Sequence, residues 1–292
     1  MGTKPMIQGY KKLLAFFTLV YYSTTTAFSQ GYFFAKPKSE IWLGTGISIF
    51  RGDIGGGSSG SGLKALVDYS TIGTALNFGF SQRIPAGFSL RGELSYVMLR
   101  GDDAFSESLT RKQRNLHFRT SVVELAAGAQ WSLLTPFPRT RRKAPFDAYI
   151  HAGSSYFWYQ PQAKYNGLYY NLREIGTEGQ TLPGGTPYSK FSYSAYAGIG
   201  CKYYFKKNQA WGFELSLRRT FTDYIDDVST TYPDIINNTH WGQPDIAFEL
   251  TYRGDGPYPV NQVRGNPNLD DSFGLIMITY SKSLGRRPFT SY

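Results

Sequence analysis

Two adjacent aspartate pairs, Asp102-Asp103 and Asp226-Asp227, and three histidines, His117, His151 and His240, have the widest chemical reach in this 292-residue chain. Neighbouring carboxylates can share a proton or hold a cation, and a histidine nearby can serve as base or metal ligand. Their placement supports neither use. No histidine pair has the spacing of a zinc helix or finger, and no nucleophile, base and orienting group fall at adjacent positions. The sequence is therefore read as non-catalytic, with no cofactor and no metal ligands. The aspartates are expected to cap loops, bridge cations or pair with loop Arg and Lys. His151, close to Asp147, is expected to make an internal hydrogen bond.

The elements that carry these residues follow a period of two. Phe88, Leu90, Leu94, Tyr96 and Met98 fall on one face of a strand, and Ser89, Arg91, Glu93 and Ser95 on the other. Eight such strands are expected, over 40–50, 71–83, 88–100, 119–134, 146–160, 191–205, 210–219 and 272–284. Short connections, 84–87, 135–145 and 206–209, alternate with long polar ones, 51–70, 101–118, 161–190 and 220–271. One face is large, apolar and aromatic: Leu76, Phe78 and Phe80; Val123, Leu125 and Trp131; Tyr193, Ile199, Tyr203 and Phe205; Trp211, Phe213, Leu215 and Leu217. The other is small or charged, with Arg91, Glu93, Glu124, Asp147, His151, Glu214 and Arg218 expected to pair across a narrow lumen, because an unpaired charge there is costly.

That pattern predicts an all-β protein, an eight-stranded antiparallel transmembrane β-barrel with long extracellular loops. A soluble sandwich or lipocalin-like barrel is the alternative, with the apolar face turned inward. An even strand number places both termini in the periplasm of an outer-membrane protein. Lys4, Lys11 and Lys12, the apolar run 13–22 and the small-residue stretch to Ser29 match a secretory signal peptide over 1–29, leaving 30–292 as the barrel domain. Removing those lysines lowers the formal charge from +10 to +7. The remaining basic residues are scattered except for Arg139, Arg141, Arg142 and Lys143 in one short connection, which argues against a nucleic-acid partner. A mean hydropathy of −0.33 suits a barrel, in which only alternate strand residues meet lipid. The single cysteine, Cys201, is expected to be a small buried hydrophobe. Arg51-Gly52-Asp53 matches an adhesion tripeptide at chance level.

Three loop segments, 99–125, 161–180 and 218–234, mix Tyr with Arg, Asp and Glu at high density. They contain Asp102, Asp103, Tyr169, Tyr170, Arg173, Glu178, Asp223, Tyr224, Asp226 and Asp227, expected to form a lid or a protein-binding face. Their motifs are RGDD then RNLHFR before VVEL, YQPQAKY followed by YNLREIGTEGQ, and FTDYIDDVSTTY, with Arg264-Gly265-Asn266-Pro267 further on. With these the chain resembles the PorG family of Bacteroidetes outer-membrane barrels, associated with type IX secretion. The resemblance runs from about residue 40 to 284. It implies a barrel that contacts a periplasmic ring built of a lipoprotein and a partner protein, on which secretion and gliding motility depend. In that setting Arg139, Arg141, Arg142 and Lys143 are candidates for ring docking, and outer-membrane lipid is the other partner. Arg286–Tyr292 after the last strand departs from the family's terminal aromatic, so the assembly signal is expected in 273–284 or at Tyr292. A small-solute channel and a paralogue with a separate role are the alternative functions.

Overall fold

The computed structural model describes residues 39–55, 69–84, 87–133, 146–206, 208–234 and 244–284. The expected signal peptide and the Arg139–Lys143 run lie outside the described residues, as does His240. Among the described residues nine strands are present: β1 (Ser39–Arg51), β2 (Ile72–Arg83), β3 (Phe88–Asp102), β4 (His117–Ser132), β5 (Phe146–Tyr165), β6 (Leu168–Asn171), β7 (Phe191–Lys206), β8 (Gln209–Thr220) and β9 (Ser272–Ser283). Three short helices join them, α1 (Leu109–Arg114), α2 (Leu172–Ile175) and α3 (Pro244–Thr251).

Eight of the strands close a ring. The antiparallel order is β4-β3-β2-β1-β9-β8-β7-β5, and β4 pairs with β5 to shut it. Closure satisfies every strand edge, which a bilayer requires because it offers no water to a free backbone group. The ninth strand, β6, folds back on β5 through Asn166-Gly167 and pairs Gln162–Tyr165 with Leu168–Asn171. Asn166 and Gly167 both have positive φ, the chemistry of a two-residue hairpin turn. Sequence reading had this stretch as loop, since only four residues carry the pairing.

The apolar face points outward. Leu43, Phe78, Leu90, Leu125, Tyr193, Ile199, Trp211, Leu217 and Ile278 are all exposed, while the alternate residues are buried inside. A closed barrel with this exterior is built for lipid. At the short-turn end an aromatic belt runs round the wall: Phe88 stacks on Trp131, and Trp211 lies between Phe205 and Tyr280. Cys201 belongs to this exterior rather than to a core. It is half-exposed, because strand parity places it with Ile199 and Tyr203.

Strands of roughly 9–11 residues cross a bilayer. Yet β3 has 15 residues, β4 and β7 have 16, and β5 has 20. The excess lies at the long-loop end, so the wall there rises beyond the apolar band. Its inner face also changes character. Val97, Leu99, Phe118, Val122, Phe157, Tyr159, Phe273, Leu275 and Met277 line the inside and pack with the loop residues Ile54, Leu116, Leu172, Ile225, Val228 and Leu250. A polar lumen throughout was the expectation. The upper lumen is instead an ordinary hydrophobic core, formed where wall and loops meet.

Candidate functional site

Midway along the barrel the inward charges converge. Arg91 on β3 holds Glu93 on its own strand (Nη2 to Oε2, 2.7 Å) and Glu214 on β8 (Nη2 to Oε2, 2.6 Å; Nη1 to Oε1, 3.1 Å). Arg218, four residues further up β8 than Glu214, donates from Nε to Glu124 of β4 at 2.8 and 3.1 Å and reaches Glu93 at 3.4 Å. Tyr149 donates to Glu214 at 2.5 Å, Ser155 to Glu124 at 2.7 Å and Ser95 to Glu93 at 3.0 Å. Two guanidinium groups and three carboxylates thus share one fully buried network, and each carboxylate has at least two partners. Such sharing is what makes buried charge tolerable.

Nearer the short turns, Lys202 of β7 pairs with Glu40 of β1, and both Lys202 and Arg91 face the Trp42 ring. Two glycines make room for aromatics. A Cβ on Gly79 would stand 1.9 Å from the Trp42 ring, and one on Gly200 would stand 2.4 Å from Cζ of Tyr149. Asp147 is buried at the same end. His151 does not form the expected hydrogen bond: its ring lies between those of Tyr149 and Tyr196, with neither nitrogen in contact with a polar partner. The reason is distance along the strand. Positions 147 and 151 both face inward but four residues apart along an extended strand, about 13 Å.

The second assembly caps the long-loop end. Asp226, wholly buried, accepts from the backbone N–H groups of Asp53 and Ile54 at 2.9 Å and of Val228 at 3.0 Å. Asp103 accepts from Gly55 N (3.0 Å) and from Leu116 N (3.2 Å), and forms an ion pair with Arg114 at 2.7 Å. Arg114 also donates to the carbonyls of Asp53 (2.7 Å) and Arg264 (2.6 Å). Arg264 in turn joins Glu178 at 3.1 Å and the Asp227 carbonyl at 2.6 Å. Glu178 accepts from Ser229 N and from both N–H and hydroxyl of Thr230. Asp227, held at a φ of 67°, accepts from Thr177 and from the Tyr188 hydroxyl. Tyr188 stacks on Tyr224 at 4.4 Å, and its carbonyl takes the Arg173 Nε at 2.6 Å. Every one of the four long connections contributes.

The loop residues singled out from sequence therefore divide. Asp103, Asp226 and Asp227 are buried, as is the Glu178 side chain, and they bind loop to loop rather than offer a surface; Asp223 is buried too, with neither carboxylate oxygen hydrogen-bonded among the described residues. Asp102 caps the turn at Ala104 (2.9 Å). Tyr169 stays exposed under the Arg119 guanidinium, with Tyr170 half-buried against Tyr165. The Asp53 of the adhesion-like tripeptide accepts from Asn266 N at 2.7 Å and belongs to the lid. Sequence reading missed Asp53, Arg114 and Asp271 as lid members. Asp271 accepts from Ile225 N at 2.9 Å, and only the long-range loop path reveals it.

Burial raises the lid acids. Asp223 is pushed up to about 8 by desolvation, with Asp226, Asp53 and Glu178 adding repulsion. Asp227 rises to about 6 by desolvation, moderated by Arg264. Asp226 and Asp271 are both raised, by burial first and then by neighbouring carboxylates.

Several solved barrels are similar to this fold. Neisserial surface protein A aligns at 10% identity over 84% of this chain and 96% of its own, with a TM-score of 0.39. The outer membrane protein OprG from Pseudomonas aeruginosa aligns at 8% over 86% and 98%, with a TM-score of 0.40. The E. coli Outer Membrane Protein W aligns at 13% over 84% and 98%, with a TM-score of 0.32. No curated protein matches the sequence. Residues 35–243 match the family described as "Domain of unknown function (DUF6089)", and the chain belongs to that family.

Proposed function

We propose that this is a non-catalytic outer-membrane barrel that anchors the type IX secretion machinery, with its short turns in the periplasm and its long loops outside. The carrying observation is that the lumen is crossed at mid-height by Arg91–Glu214 and Arg218–Glu124 and roofed by the interlocked loops. A barrel blocked in this way serves better as a membrane anchor than as a conduit. The secretion role itself is supported by the loop motifs that resemble the PorG family. In this reading Arg139, Arg141, Arg142 and Lys143 meet the periplasmic ring, where a basic turn gains encounter rate and register from an acidic partner.

Two readouts test it together. A strain lacking the protein should retain type IX cargo in the cell, and the purified barrel should be electrically silent in a planar bilayer. Normal secretion would remove the secretion role, and steady conductance would replace the anchor with a channel.

A further inference from the structure

The two rims of the wall differ. At the short-turn end the outward side chains are mainly aromatic, with Lys282 two residues past Tyr280. At the long-loop end the row just past the apolar band carries Arg51 on β1, Arg100 on β3, Arg119 on β4 and Arg219 on β8. All four are at outward positions by strand parity, and Arg51, Arg100 and Arg219 are exposed.

Register brings them together. Arg100 and Arg119 are direct cross-strand partners, two pairs beyond Met98 and Ser121. Arg51 and Arg219 both flank Ser272 of β9 from opposite sides. Like charges directly opposed on a sheet repel. Among the described residues, none of the four forms an ion pair with a carboxylate. Arg119 is instead held by neutral groups: Nε and Nη2 donate to Gln162 Oε1 at 3.2 and 3.0 Å, and its guanidinium lies over the Tyr169 ring. Asp102, two residues beyond Arg100 on β3, accepts from Ala104 N. A positioned, un-neutralised arginine is ready for bidentate phosphate.

Height fixes the kind of ligand. On β3 the outward apolar positions run through Tyr96, whose hydroxyl meets Ser121 at 3.1 Å, to Met98. The Arg100–Arg119 pair stands two residues beyond Met98, about 7 Å along the strand, where the outward face turns from apolar to charged.

We propose that this arginine row binds the phosphates of a phosphorylated lipid headgroup in the leaflet at the long-loop end, with Arg100–Arg119 as the principal site. The proposal rests on the barrel standing in a bilayer and not on the secretion role. A phosphate between the two guanidinium groups would turn their repulsion into a shared contact.

The test uses the full barrel in phosphatidylcholine nanodiscs doped with diphosphorylated lipid A or with the same lipid stripped of phosphate. Native mass spectrometry reads the lipid retained, and heat-modified gel mobility reads folding. The wild type should keep the phosphorylated lipid about tenfold better, and the R100Q/R119Q variant should lose that preference. R100Q should also raise the unfolding midpoint in plain phosphatidylcholine and lower it with the phosphorylated lipid. Equal retention of the two lipids by the wild type would overturn the proposal without recourse to any variant. So would unchanged retention by a folded R100Q/R119Q barrel, or displacement by millimolar inorganic phosphate, which would mark a free-anion site.

Discussion

Arg91 and Glu214 lie on strands four places apart in either direction round the ring, so their paired contacts at 2.6 and 3.1 Å span the full width of the barrel. An ion pair along that diameter ties opposite walls together and fills the space a solute would need. The same arrangement sets the energetic stakes, because both groups are buried and neither could be left alone without cost.

Glu214→Ala should therefore lower stability by about 3–5 kcal/mol, since it leaves Arg91 and the Tyr149 hydroxyl short of an acceptor. Urea unfolding in micelles reads the loss. A double change, Arg91→Met with Glu214→Met, should recover much of it, because two apolar groups restore packing without stranding a charge. A double variant as weak as the two singles combined would show that the pair is not coupled.

Gly200 exists to admit Tyr149. Gly200→Val should cost about 1–3 kcal/mol and slow assembly of the barrel, because its Cβ would enter the tyrosine ring. Pairing it with Tyr149→Ala should relieve the clash. The heat-modified gel band, followed over time during refolding, measures both.

The lid is expected to fail separately from the wall. Arg114→Ala strands Asp103 and frees the carbonyls of Asp53 and Arg264, contacts that hold loops to loops. Limited proteolysis should then cut within 221–271 at a temperature where the barrel band is still intact. Simultaneous loss of lid and barrel would mean that the two form one cooperative unit.

Lid stability should also depend on pH in a defined sense. The folded pKa of Asp223 is about 8 and that of Asp227 about 6, both above the ordinary 3.8. The folded lid therefore binds protons that the opened loops release. Stabilisation is complete below about pH 4 and is lost as pH rises through about 6 to 8. Hydrogen exchange across 221–234 should accelerate over that range after correction for intrinsic rates. Asp223→Asn should flatten the dependence, and an unchanged slope would exclude Asp223 as its source.

The wall was legible because lipid imposes a strict period. Tyr193, Ile199 and Tyr203 on one face and Glu214 and Arg218 on the other each follow from alternation alone, and the eight barrel strands fall where alternation puts them. Pairing partners follow less directly, but five opposite charges in one narrow lumen have few ways to meet. The upper interior was hidden for the opposite reason. Val97, Leu99, Phe157 and Leu275 interrupt the polar inward face, and they make sense only with Ile225 and Leu250 packed above them. Those contacts join separate loops to separate strands, so no local pattern announces them. Asp53 and Asp271 were missed likewise, since each is an ordinary loop aspartate until the chain brings it beside Asp226. Cys201 was misjudged because an apolar neighbourhood in a barrel means lipid rather than core.

The measurement that tests the central claim most directly is mild-detergent purification of the tagged protein from outer membranes, with mass spectrometry of what accompanies it. The periplasmic ring lipoprotein and its partner should be recovered with it, and recovered more weakly when Arg139, Arg141, Arg142 and Lys143 are all replaced by Ser. A folded barrel that emerges without either ring protein would contradict it.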